Sequence, residues 1–240
     1  MGKFIKTQQV VISLIFILTS KLVLGQLMGF ERINDSDVSP WIPKFTIEYQ
    51  YVYHFGDSEA ESDLILLFSN DKIYGQIKYG AWSDDGNSWV WTYENLTNVK
   101  VEGNKFYSDQ TDGEFVIYDS GVEKINGLKI YDPWIEIGVN SAYEVGVKSY
   151  SIENYYNGLF TKASKRLLSK EELRTMTKSE LKFMRNEIFA RYGYIFNPGG
   201  EMDTYFNSQN WYSGQHYNVD NFLTDLEREN IELIQLVEKE

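Results

Sequence analysis

The hydrophobic period changes once along this chain of 240 residues, and that change limits the folds open to it. From Phe45 to Tyr131, apolar and aromatic side chains alternate with polar ones, the period-two texture of β-strands. From Ser169 onward they recur every three or four residues behind Ser/Thr-x-x-Glu starts, the texture of capped helices. Strands gathered ahead of helices predict an α+β chain in two domains, not a parallel sheet threaded by helices.

In the first part, Ile47, Tyr49, Tyr51 and Tyr53 alternate with Glu48, Gln50, Val52 and His54, which predicts a strand. Further strand-like runs fall at 64–68, 72–79, 88–93, 105–108, 114–118 and 128–131. Turn signals separate them, among them Asp84-Asp85-Gly86-Asn87, Glu102-Gly103-Asn104, Asp112-Gly113 and Asn126-Gly127. Such punctuation predicts an antiparallel β domain over 45–160, closed as a barrel or paired as a sandwich. Residues 134–160 add one or two strands of weaker pattern. Residues 26–44 read as an N-terminal lead segment, with Pro40 and Pro43 bracketing Trp41 and Ile42.

Residues 161–168, TKASKRLL, are polar, locally basic and without strand pattern, and read as a linker. Residues 169–240 then form a small all-α domain. Ser169 and Glu172 make a capping box for a short helix through Met176, and Thr177 and Glu180 repeat the spacing. Leu181, Met184 and Ile188 follow as a buried stripe, with Glu187 and Arg191 four apart as an ion pair beside it. Gly193 can take the left-handed conformation that ends helices. Tyr194-Ile195-Phe196 is too apolar for a solvated loop and is expected to pack back. Glu201–Asn207 reads as another short helix, and Trp211 and Tyr212 as an aromatic anchor. Thr224 and Glu227 cap a last helix whose Leu226, Ile231, Ile234 and Val237 face inward.

The N-terminus predicts export. Lys3 and Lys6 precede an apolar stretch from Val10 to Leu18, and Val23 and Gly25 suit the −3 and −1 positions of a cleavage site. Residues 1–25 therefore read as a signal peptide removed before Gln26, leaving no membrane span and a periplasmic or extracellular protein. Losing Lys3, Lys6 and Lys21 reduces 23 basic residues to 20 against 35 acids, so the net charge moves from −12 to −15. That charge argues against nucleic acid, whose binders need a cationic surface. It argues equally against anionic lipid headgroups. With no cysteine, disulfides, thiol nucleophiles and thiolate metal sites are excluded.

One stretch carries a family signature. Met184-Arg185-Asn186-Glu187-Ile188, Phe189-Ala190-Arg191-Tyr192-Gly193 and Tyr194-Ile195-Phe196 resemble the signature of the YARHG domain family. The resemblance extends over 167–238 through Leu168-Ser169, Tyr205-Phe206, Trp211-Tyr212 and Glu229-Asn230-Ile231. It implies an extracellular bacterial module found beside peptidase and kinase-type domains, with no established molecular function. The β part bears a faint resemblance to regions accompanying YARHG modules in Bacteroidota envelope proteins. Phe189 and Tyr192 replace the Tyr and His of the family's name pattern, so no histidine base or ligand stands there.

Two sets of residues are candidates for binding. Arg185, Glu187 and Arg191 can form a carboxylate-recognising cluster or, more simply, an intradomain ion-pair network, and Tyr192, Trp211 and Tyr212 are aromatic candidates in the same domain. Trp89, Trp91 and Tyr93, on one face of a strand with Trp82 nearby, can offer a sugar-stacking strip or belong to the core. No cofactor or metal is expected: only His54 and His216 are present, HExxH and GxSxG are absent, and the acidic segments match no EF-hand loop. The reading is an exported, non-catalytic envelope protein whose YARHG-like module binds a cell-wall, glycan, peptide or protein partner. The alternatives are a carboxylate-based hydrolase and a carrier of small apolar ligands inside a β-barrel.

Overall fold

The structure, a computed structural model, describes residues 34–56, 58–131 and 143–240. The expected signal peptide, residues 26–33 of the lead segment and residues 134–142 of the weaker strand region lie outside these. The described strands are β1 (Val38–Pro40), β2 (Val52–Phe55), β3 (Ser62–Ser69), β4 (Lys72–Trp82), β5 (Trp89–Leu96), β6 (Lys100–Glu102), β7 (Lys105–Tyr107), β8 (Gly113–Asp119), β9 (Lys124–Ile130) and β10 (Glu144–Lys148). The helices are α1 (Ile152–Tyr155), α2 (Lys162–Lys165), α3 (Lys170–Leu173), α4 (Lys178–Arg191), α5 (Glu201–Asn207) and α6 (Asp225–Glu238). Strands come first and helices after, so the molecule is α+β in two parts.

The strands form one antiparallel sheet in the order β5-β4-β3-β2-β10-β9-β8-β7-β6, with β1 on the free length of β8. The sheet curls into a half-barrel rather than a closed barrel or a sandwich, and its end strands β5 and β6 do not pair with each other among the described residues. Trp41, Tyr49, Tyr53, Phe106, Phe115 and their neighbours fill the inside of the curl, with Tyr49 stacked on Phe115 at 3.8 Å between ring centroids. Side chains therefore occupy the space that a barrel carrier would need for its ligand.

Along β3 the two faces separate cleanly. Leu64 and Leu66 enter the inner core, whereas Ile65 and Leu67 join Val52, Ile152 and Leu226 in a second cluster beneath the helices. With both faces covered, β3 carries an unbroken apolar run instead of an alternating one.

Three expectations are corrected. The tyrosine alternation at 47–53 is not one strand: Thr46–Tyr49 is a 3₁₀ turn, and the strand starts at Val52. Glu48 accepts from the Phe45 N–H at 2.8 Å and closes that turn, while the Tyr49 hydroxyl donates to the Trp41 carbonyl at 2.9 Å. The lead segment is drawn into the fold, since Val38–Pro40 pairs with β8 and Trp41 is buried. Residues 161–168 are packed rather than free, because α2 buries Ala163 and Ser164 against α4 and α6.

The helices follow their local signals. Thr177 Oγ1 accepts from the Glu180 N–H at 3.2 Å, and the Glu180 carboxylate accepts from the Thr177 N–H at 2.8 Å. Leu181, Met184 and Ile188 are buried, and Gly193 ends the helix at φ +71°. Phe196 returns to stack on Phe206 at 5.0 Å. α3 stops at Leu173, short of Met176.

Candidate functional site

The phase set by the α4 cap brings Glu187 and Arg191 round to one side of the helix, facing the chain that leaves α1. Glu187 is 1% exposed, and its carboxylate accepts from the N–H groups of Leu159 and Phe160 at 2.8 and 2.7 Å while pairing with Arg191. Gly158 makes this approach possible: at φ +109°, a Cβ there would lie 2.3 Å from the Glu187 carboxyl carbon. Arg191 also donates to the Asn157 carbonyl and to Ser164 Oγ, each at 2.8 Å.

Ser164 passes the network to α6 by donating to Glu227. Glu227 is a capping-box residue that is fully buried, unlike its counterpart Glu180, so its carboxylate serves more than the cap. Tyr192 donates to it at 2.6 Å and lies 3.2 Å from Gln76 Oε1 on β4. Burial raises the Glu227 pKa, and the donors from Ser164, Tyr192 and the Thr224 N–H oppose that rise. Burial likewise raises the Tyr192 phenol well above its ordinary value, so Tyr192 stays protonated and donating.

The helices are joined to the sheet by polar contacts. The Gln76 amide donates to the Phe222 carbonyl at 2.6 Å, and the Asn95 amide donates to the Leu223 carbonyl at 3.0 Å. Gln215 serves edge strand β5 as a neighbouring strand would: its amide accepts from the Trp91 N–H at 3.1 Å and donates to the Trp89 carbonyl at 3.0 Å. His216 Nε2 lies 2.8 Å from the Trp91 carbonyl, so that nitrogen carries the proton. Together they cover part of a strand edge that would otherwise be open to another chain.

Of the residues expected to bind, Glu187, Arg191 and Tyr192 meet in this network. Arg185 does not join them. It pairs with Glu238 at 3.1 Å, because it lies about 160° from Glu187 around the helix. Trp211 packs edge-on against Phe206, and the Tyr212 hydroxyl donates to the Tyr194 carbonyl at 2.6 Å. Trp89 and Trp91 meet edge-to-face at 6.0 Å, and Trp89 likewise meets the exposed Trp82 at 5.5 Å. This is an interlocked row, not the flat platform that ring stacking on a sugar uses.

The network borders a cavity of about 110 Å³ walled by both parts of the molecule, by Lys78 and Tyr93 from the sheet and by Tyr155, Tyr156, Arg191 and Trp211 from the helical part. Sequence reasoning missed Lys78, Tyr155 and Tyr156, which carry no motif; only strand register brings Lys78 opposite Tyr93. The Lys78 ammonium lies 4.0 Å from the Trp91 ring centroid, a cation–π contact, and burial lowers its pKa. A larger cleft of about 730 Å³ opens at the far end of β4 and β5, where Asp71, Lys72, Lys100, Glu102 and Asp225 mix charges without converging. The smaller cavity has the coherent chemistry. Among the described residues, no group of three or more His, Asp or Glu is placed to hold a metal ion.

Residues 157–239 match the YARHG domain. The match begins at Asn157, so the YARHG region takes in the turn that Glu187 and Arg191 hold, as well as α2. The curled sheet lies outside it. No curated protein and no solved structure matches the chain. No described helix is long and apolar enough to cross a membrane.

Proposed function

We propose that this protein is an exported, non-catalytic binding protein of the bacterial envelope, in which the sheet and the YARHG region act as one unit. Its partner is engaged at the cavity where they meet. The observation carrying this reading is that the YARHG residues Arg191 and Tyr192 line a cavity walled jointly with the sheet, while their polar atoms are engaged by the chain itself. They supply shape and fixed charge, not a reacting group. Around the cavity, Glu187 and Glu227 are spent on backbone N–H groups, Arg191, Ser164 and Tyr192, and Asp63 is paired with His54, which leaves a carboxylate-based hydrolase no free pair at this site. The YARHG domain is a module of exported proteins, which agrees with a leader over residues 1–25 and with the strongly acidic chain.

The test is sedimentation of purified protein, starting at Gln26, with isolated cell-wall sacculi. Saturable binding that a soluble wall digest competes away is the expected result. No binding to sacculi, to the digest or to extracted envelope proteins overturns the reading.

A further inference from the structure

We propose that the junction cavity is a carboxylate site that takes the C-terminal carboxylate of a peptide ending in a small residue, with Lys78 as its cation. This rests on the binding reading above and names the chemistry of the ligand.

The cavity is rich in donors. Lys78 has no carboxylate within ion-pair distance among the described residues; its cross-strand neighbour Asp63 is held by His54 Nδ1 at 2.9 Å. The hydroxyls of Tyr93, Tyr155 and Tyr156 have no hydrogen-bond partner among the described residues, although all three side chains line the cavity. Burial raises each phenol above its ordinary pKa, so each carries its proton and can donate. Arg191 also lines the cavity, but its charge is paired with Glu187 and its other donors serve Asn157 and Ser164. One ammonium and three phenols around a single space call for an acceptor-only group, and a carboxylate is the smallest such group with two oxygens. The attraction is local, since the chain as a whole carries −12.

Size and wall character narrow the source. At about 110 Å³ the cavity is smaller than the roughly 150 Å³ that accommodates a benzene ring. A carboxylate with one or two carbons fits, but a sugar ring does not. Tyr155 and Tyr156 meet edge-to-face at 5.1 Å and, with Trp211, give an apolar wall suited to a methyl group. A uronic acid carries its carboxylate directly on a ring carbon, so its ring would crowd the mouth; a peptide ending in alanine brings only an α-carbon and a methyl.

The probe is Ala-Ala-Ala with a free C-terminus, titrated into the protein starting at Gln26 and followed by NMR shifts of the tryptophan indole N–H groups. Trialanine amide, Ala-Ala-Phe and glucuronate are run alongside. The free acid is expected to bind, with the amide and Ala-Ala-Phe weaker by about tenfold or more. Lys78→Met keeps the stem over Trp91 and is expected to weaken the free acid about 10- to 100-fold. Should that variant fail to fold, Tyr156→Phe removes one donor and is expected to cost about three- to tenfold. Equal binding of acid and amide, wild-type binding by both variants, or glucuronate binding as well as trialanine each overturns the proposal. Sacculi bound without trialanine binding sinks the carboxylate assignment and leaves the binding reading standing; failure of both sinks both.

Discussion

The two faces of the curled sheet solve the problem of burial differently. The inner face is an aromatic core whose few polar atoms are satisfied by nearby backbone, as when the Tyr53 hydroxyl donates to the Tyr49 carbonyl at 2.7 Å. The outer face under the helices mixes an apolar cluster with Gln76, Asn95 and Lys78, and it meets a helical layer whose own buried groups include Glu187, Glu227 and Asn230. Apolar contact is non-directional and supplies stability, whereas a buried polar seam is satisfied in one arrangement only. The inner face holds the sheet together, and the outer face fixes where the YARHG region sits on it.

Four substitutions break or sharpen this contrast. Phe115→Ala removes the ring at the centre of the inner core, in contact with Trp41, Tyr49, Tyr53 and Phe106, and is expected to cost about 4 kcal/mol in urea unfolding. On the other side of the contrast, Glu187→Ala strands the Arg191 guanidinium and the N–H groups of Leu159 and Phe160. A loss of about 3 kcal/mol is expected, with indole shifts around Trp211 that Phe115→Ala does not cause at matched stability.

Glu144 tests a buried carboxyl that has less support than Glu227. Burial pushes it up to about 7, against an N–H from Gly56 and the nearby His54. Its raised pKa means its contribution to stability is complete below pH 4.5 and lost as pH rises through about 7. Glu144→Gln should match the wild type at pH 4 and exceed it by about 2 kcal/mol at pH 8, read from thermal melts across that range. The smallest effect is expected for Asn95→Ala, which withdraws the amide serving the Asn221, Phe222 and Leu223 carbonyls and should cost about 1–2 kcal/mol. Its diagnostic is faster amide exchange in 213–224 with the inner strands unchanged.

What the sequence revealed depended on how local the causes were. The caps at Thr177 and Thr224 are complete within four residues, so α4 and α6 could be placed from pattern alone. Turn-separated runs placed most strands for the same reason, but Asn126-Gly127, read as a turn, lies inside β9, where both residues pair with β8. The tyrosines at 49–53 misled because Glu48 closes a turn and Phe115, far along the chain, takes the Tyr49 ring. The stretch 161–168 looked solvated because nothing nearby reveals that Ser164 lies between Arg191 and Glu227. For the site, four of the expected residues converge, Glu187, Arg191 and Tyr192 in the network and Trp211 on the cavity wall, and the helical period already separates Arg185 from Glu187 and Arg191. Lys78, Tyr155 and Tyr156 were not legible, since their meeting depends on strand register and on where α1 leaves the sheet.

Whether the sheet and the YARHG region form one cooperative unit is tested most directly by native-state hydrogen exchange in low urea. In one cooperative unit, the slowest amides of β3 and β4 and those of α4 and α6 are expected to open with the same free energy and the same urea dependence. If α4 and α6 open at a clearly lower free energy while the sheet stays protected, the two parts are separate units and the junction site loses its foundation.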